Sequence, residues 1–379
     1  MRPTYCLTAL AAAALIGAGF PLPPAAAETS SWVQRDDEAA ARQRATGSGA
    51  RAEAKPTPGG KLLGGPNVSS HGKKTKTAPA TAPAARPTAG PHSTKPATGD
   101  DDAWLAFDQG RYLTALKLAE ALAQKGDASA HTLVARIHAE GLGVPLNAPL
   151  AAEWMKRAAE LGDVNAAFSY GTMLASGQGV EKNMPAAAEM FERAARTGHP
   201  AANYNLGLLF LKGDGKPENP YRASQHFTYA AEKGIVEAQY DLAGLYQSGV
   251  GVEPNALEAS KWLRAAADQG MPAAQFEYAV MLLRGLGLTI DESKAVPYLE
   301  QAAKAGVVGA QNRLAHVYLE GIGVEKSPVE AAKWRLVAKA GGMPDDKVLD
   351  DTVAKLSKAD RAKAEAAAAE FGDRSMLAQ

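Results

Sequence analysis

The 379-residue chain has a single cysteine, only 6% aromatic residues, no excess of charge of either sign and no long apolar run. One cysteine, Cys6, excludes a disulfide framework and a cysteine-based zinc site. The balance of 41 Lys and Arg against 41 Asp and Glu excludes both the basic excess of a nucleic-acid binder and an acidic low-complexity chain. The apolar stretch from Leu7 to Phe20 is about 14 residues, short of the ~20 that span a bilayer. What remains is 46% hydrophobic content carried largely by alanine, about a fifth of the chain. Alanine is the best helix former and the smallest side chain that packs, so the composition predicts close-packed helices.

The first 27 residues place Arg2, the apolar stretch and Ala25-Ala26-Ala27 in the order of a secretory signal peptide, and Pro21, Pro23 and Pro24 end the stretch. Cys6 lies before the apolar run rather than at its end, where a lipoprotein would place its cysteine. The expected location is periplasmic or secreted, with no integral membrane span and no cysteine after cleavage. Residues 28–100 change to Pro, Ala, Thr, Gly, Ser and Lys without apolar periodicity, the composition of a disordered linker. Between Lys55 and Gly99 it holds seven basic residues, no acidic one and eight prolines. This segment is a spacer or touches anionic cell-wall or lipid surfaces. Residues 1–100 carry 12 basic and 6 acidic side chains, and residues 101–379 carry 29 and 35, so neutrality is the cancellation of two opposite segments.

From Asp127 to Gly342 the chain repeats every 36 residues without insertion or deletion: 127–162, 163–198, 199–234, 235–270, 271–306 and 307–342. Glycine fills three columns, represented in the fourth copy by Gly249, Gly251 and Gly270. Alanine fills two more, at Ala259 and Ala266. In that copy Ala238, Leu242 and Tyr246 share one helix face, and Gly249 ends this helix A in the left-handed conformation. Six residues after the first glycine comes Asn147, Asn183, Asn219, Asn255, Asp291 or Ser327, each a good N-cap. Pro220 and Pro328 follow at the first helical position, where a missing N–H costs nothing. Helix B then carries the buried stripe Ala259, Trp262, Leu263 and Ala266. One such hairpin cannot bury its own apolar faces, so neighbours must share a core.

The run from Ala238 to Tyr246, the Gly249-Val250-Gly251-Val252 turn, Ala259, Trp262, Ala265-Ala266 and Gly270 together resemble a Sel1-like repeat, a relative of the tetratricopeptide repeat. Lys216 and Leu288 depart from the usual Val after the second glycine, and Met190, His226 and Tyr298 stand in the column of Trp154, Trp262 and Trp334. The resemblance implies an all-α, right-handed α-solenoid of stacked helix-turn-helix repeats. Residues 101–126 resemble a shortened tetratricopeptide-type hairpin turning at Gly110, and residues 343–379 suit a C-terminal pair of capping helices and a tail.

No catalytic, metal or cofactor constellation is found. The Gly-x-Gly elements follow helices rather than strands, which makes them helix caps and not phosphate cradles. The histidines His131, His138, His199, His226 and His316 lack ligand spacing. Ser70-His71-Gly72-Lys73 matches a Ser-x-x-Lys motif but lies in the linker, and the β-lactamase-like branch of the family is Cys-rich where this chain is not. The resemblance instead implies a non-catalytic scaffold or regulator in the bacterial envelope, with a protein or extended peptide on the concave, helix A side. A cell-wall factor tethered by the basic linker is the alternative. Candidate contact residues are Asn165, Ser169, Tyr204, Asn205, Tyr240, Asp241, Glu277, Arg313 and His316. The column Thr132, Phe168, Tyr204, Tyr240, Phe276, Asn312 leaves two readings open, partner contact or packing between repeats.

Overall fold

The computed structural model describes residues 99–377; the expected export signal and almost all of the linker lie outside the described residues. These are organised as α-helices, with no strand among them. Residues 99–218 belong to one compact unit and 219–377 to a second. The N-terminal unit contains α1 (Gly99–Asp108), α2 (Tyr112–Ala123), α3 (Ala128–Glu140), α4 (Ala148–Glu160), α5 (Val164–Ser176), α6 (Met184–Arg196) and α7 (Pro200–Lys212). The C-terminal unit contains α8 (Pro220–Glu232), α9 (Val236–Ser248), α10 (Ala256–Asp268), α11 (Pro272–Arg284), α12 (Glu292–Lys304), α13 (Val308–Glu320), α14 (Pro328–Ala340), α15 (Lys347–Lys355) and α16 (Lys358–Leu377). Within each unit, helices A and B of a repeat pack as a hairpin, and helix B packs on helix A of the next repeat. The stacked-hairpin solenoid class expected from the 36-residue period is therefore what the described residues form.

The local reasons are those of the repeated columns. Helix A ends at the first glycine in the left-handed region, for example Gly249 at φ 74°. All six helix B N-caps accept from the first turn; Asn183 Oδ1 takes the N–H of Ala186 at 3.0 Å. In the other direction the Asn255 N–H donates to Tyr246 O at 2.8 Å, pinning the end of the turn to helix A. The third glycine follows helix B: Gly162 N–H reaches Ala159 O and Asp163 N–H reaches Ala158 O, both at 3.0 Å, which satisfies two carbonyls the helix end leaves free.

The second glycine serves the stack instead. A Cβ on Gly251 would stand 2.2 Å from Pro220 O, and one on Gly179 2.2 Å from Ala148 O. Each turn thus lies directly against the first turn of the preceding helix B. The exceptions to the repeat pattern are absorbed locally: Lys216 pairs with Glu192 at 2.9 Å, and Leu288 packs against the C-terminal core.

Two polar devices, one between neighbouring repeats and one within a repeat, have no clear trace in the glycine and alanine columns. Gln239, Gln275 and Gln311 donate their side-chain amides to Ala231 O, Ala267 O and Ala303 O, each eight residues back at the end of the preceding helix B. In earlier copies the first residue of the repeat caps helix A: Asp127, Asp163 and His199 accept from Ala130, Ala166 and Ala202 N–H groups. His199 Nδ1 accepts that bond, its ring stacks on Phe168 at 4.5 Å, and burial holds its pKa below the usual histidine value.

The C-terminal unit closes with α15 and α16 packed on α14. Phe371 meets Trp334 edge to face at 5.3 Å, and Ala332, Val353 and Ala364 form a small apolar cluster.

Candidate functional site

The structure separates the nine candidate contact residues. On α5, Asn165 is exposed and Ser169 half-buried. On α7, Tyr204 and Asn205 are 1% and 0% exposed, so these two cannot offer a surface to a partner and drop out of the candidate set. The aromatic column is mainly interior: Phe168 and Phe276 are buried with Tyr204, while Tyr240 alone of the four stays half-buried. Packing outweighs partner contact there because an aromatic ring between close-packed helices removes a large apolar area from water.

In the C-terminal unit the remaining candidates recur at related positions on successive A helices: Tyr240 and Asp241 on α9, Glu277 on α11, Arg313 and His316 on α13, all half-buried. The Tyr240 hydroxyl donates to Glu277 Oε1. Gln247, two turns further along α9, reaches Met281 Sδ at 4.0 Å and also hydrogen-bonds the Glu277 carboxylate. Burial pushes the Glu277 carboxyl up to about 7, against the pull of those two donors. Burial also raises Tyr240 well above the ordinary phenol value, with the neighbouring carboxylates adding to it.

A stability consequence follows. From the ordinary carboxyl value of 4.5 up to about 7, folded Glu277 keeps a proton that the unfolded chain has released. Its contribution is complete in acid and is lost as pH rises through 7. Glu277→Gln should flatten the fall in stability between pH 5 and 8 by up to about 3 kcal/mol relative to the native chain, measured by urea titration at a series of pH values. Parallel pH profiles for the two proteins would show that Glu277 does not titrate in this range.

His316 does not stand open on the face: its Nε2 lies 2.7 Å from Asp346 Oδ2. Asp346, which sequence reading did not single out, also accepts from Asn312 and caps α15 through the Leu349 N–H. Burial pushes its carboxyl up, but His316, the Leu349 N–H and Asn312 together hold it below the usual range. Beside it, Arg335 is 1% exposed and holds Asp350 with two bonds, Nε to Oδ1 at 2.8 Å and Nη2 to Oδ2 at 2.9 Å. Its Nη1 donates to Asn312 Oδ1 at 3.1 Å, and these bonds keep the Asp350 carboxyl low. The legible signal was positional: Arg335 occupies the column of Met155, Phe191, Phe227, Leu263 and Leu299, a buried column in every other copy. This network belongs to the C-terminal closure, so His316 acts through the cap rather than as an open contact.

A hollow of about 450 Å³ lies between the end of α10 and the start of α12. Of its polar lining, Tyr298 donates to Asp268, Gln301 accepts from Gln275 and Lys294 pairs with Asp291. Among the described residues no group of three or more His, Cys, Asp or Glu side chains could hold a metal ion, and no helix is long and apolar enough to cross a membrane.

The chain is similar to a Sel1 repeat protein from Oxalobacter formigenes, at 28% identity over 64% of this chain and 99% of that one, with a TM-score of 0.58. It is also similar to a protective antigen with an SLR fold present in uropathogenic Escherichia coli, at 26% identity over 68% of this chain and 63% of that one, with a TM-score of 0.48. A comparison with curated proteins finds no match. The Sel1 repeat profile matches residues 128–163, 164–199, 200–235, 236–271, 272–307 and 308–334. With more than half its length in six consecutive matches to that profile, the chain belongs to the Sel1 repeat family.

Proposed function

We propose that this protein is a non-catalytic scaffold or regulator of the bacterial cell envelope, which binds a protein partner as an extended segment along the A-helix face of its C-terminal unit. Sel1 repeats mediate protein–protein interaction. The observation that carries the choice of face is the half-buried polar set Tyr240, Asp241, Glu277 and Arg313 on α9, α11 and α13. Equivalent positions that would otherwise be packing columns present different polar groups in successive copies, a pattern that reads a sequence rather than building a core. The envelope location rests on the order of Arg2, the apolar stretch and the alanines before Glu28.

A photo-crosslinking residue at Gln247, exposed on α9, should capture one defined protein in living cells. The same residue at Lys261, on helix α10, should not. Identical adducts from both positions would count against the A-helix face as the binding surface.

A further inference from the structure

One position on that face differs from its counterparts in the other five copies. The column Arg136, Thr172, Leu208, Gly244, Val280, His316 carries a side chain in every repeat but the fourth. A Cβ built on Gly244 meets no heavy atom within 4 Å, so the missing side chain leaves open space and not a close packing contact. Glycine inside a helix costs about 0.5–1 kcal/mol relative to alanine, and here no turn, positive φ or approaching backbone requires it.

The walls of this slot are polar. Tyr240 lies one turn before Gly244 on α9 and Gln247 about one turn after it, and both side chains converge on Glu277 of α11. Ser248, on the far side, turns its hydroxyl back to Gly244 O at 2.6 Å and leaves the slot open. The groups that act on the Glu277 carboxyl are the neutral Tyr240 and Gln247 and the burial itself, with no cation among them. A carboxylate withdrawn from water without a positive partner is unfavourable, and a cation reaching it would be bound more strongly than at an open surface.

We infer that the slot over Gly244 receives a lysine or arginine side chain of the bound segment, with Glu277 as its counter-charge. The inference rests on the A-helix face being the binding surface and adds what the partner presents there. The open space beside Gly244 accommodates the aliphatic stem, the Tyr240 ring stands beside the path of the cationic head, and the carboxylate takes its N–H donors. Position 244 thereby sets the register of the partner: the cation enters opposite the fourth repeat because the corresponding position elsewhere is filled.

The test is selection of random nine-residue peptides displayed in a library on the full chain and on three variants, each checked for native helix content. The native chain should enrich peptides with a Lys or Arg at one fixed position. Glu277→Gln keeps the acceptor for Tyr240 and removes the charge, and Gly244→Leu fills the slot with a good helix former. Either should reduce enrichment of the cationic residue at least tenfold, and Glu277→Lys should select Asp or Glu there. Enrichment of peptides without a fixed cation, or an unchanged preference in Glu277→Gln, overturns the inference and leaves the binding face standing. Failure of the native chain to enrich any peptide overturns the peptide-binding reading itself, and the inference with it.

Discussion

Gly251→Ala is expected to destabilise the protein by about 3 kcal/mol or more, whereas Gly270→Ala, in the same repeat, is expected to cost only about 1–2 kcal/mol. Both glycines have positive φ, 72° and 87°, so a side chain at either pays the left-handed penalty. They differ in what the new methyl group meets. At Gly270 it finds nothing within 4 Å; at Gly251 it would stand 2.2 Å from Pro220 O and 2.4 Å from Pro220 C. That neighbour is backbone in the capped first turn of α8, held by Asn219, and it cannot swing aside as a side-chain tip would. The turn must instead lift away from α8. Because each repeat is stable mainly through its neighbours, a loss at this contact is a loss of coupling along the stack. Urea unfolding followed by circular dichroism would measure it, and a broadened or split transition for Gly251→Ala alone would mark the uncoupling. Equal effects from the two substitutions would show that conformational strain, and not the inter-repeat contact, dominates.

The second large effect is expected at Arg335. Replacing it with leucine, the residue found at Leu263 and Leu299 in the same column, restores the apolar pattern of the repeat yet should cost about 2–3 kcal/mol. The guanidinium is 1% exposed and spends its donors on Asp350 and Asn312. Its removal takes the two-bond partner from Asp350, whose side chain is 29% exposed on α15, and leaves the buried Asn312 oxygen without its donor; Asp350 also accepts from the Asp346 N–H at the start of that helix. The loss should be local first. Hydrogen exchange followed by mass spectrometry should show residues 343–377 losing protection while α9 to α12 keep theirs. The double variant Arg335→Leu with Asp350→Leu should recover part of the stability, since it leaves no carboxylate without its hydrogen-bond partner. Exchange unchanged in Arg335→Leu would mean that the Trp334 and Phe371 contact and the Ala364 cluster hold the cap without the ion pair.

Both results separate what a single repeat encodes from what a neighbour imposes. The helix limits, the six Asn, Asp or Ser caps and the first and third glycine columns are legible because capping is a local transaction between a side chain or backbone and the adjacent turn. The role of the second glycine is not local. Its column looks the same as the first in sequence, and only the approach of Pro220 O to Gly251 distinguishes them. The Gln239, Gln275 and Gln311 clamps belong to the same class, because each satisfies a carbonyl of the preceding helix B.

The candidate contact set divides along the same line. Tyr204 and Tyr240 occupy one column and are the same residue, yet one is 1% exposed and the other half-buried. Periodicity assigns a column to a helix face, but it does not say how deeply a neighbouring helix covers that face. Glu277 and Gln247 lie on different helices, and no spacing in the chain announces that they meet with Tyr240. Arg335 differs: the sequence shows a charge in an otherwise apolar column, a visible mark of the network that the candidate residues did not include.

By itself, then, the sequence determined the repeat length, the hairpin, the family and the opposite charges of the N-terminal segment and the repeats, because these depend on identities at fixed separations along the chain. Only the tertiary structure decided which glycine couples the repeats, which aromatics are interior, and that Tyr240 and Gln247 of one helix meet Glu277 of another. Those depend on distances between side chains and backbone that belong to different helices, and burial and electrostatics are set by that approach in space rather than by order in the chain.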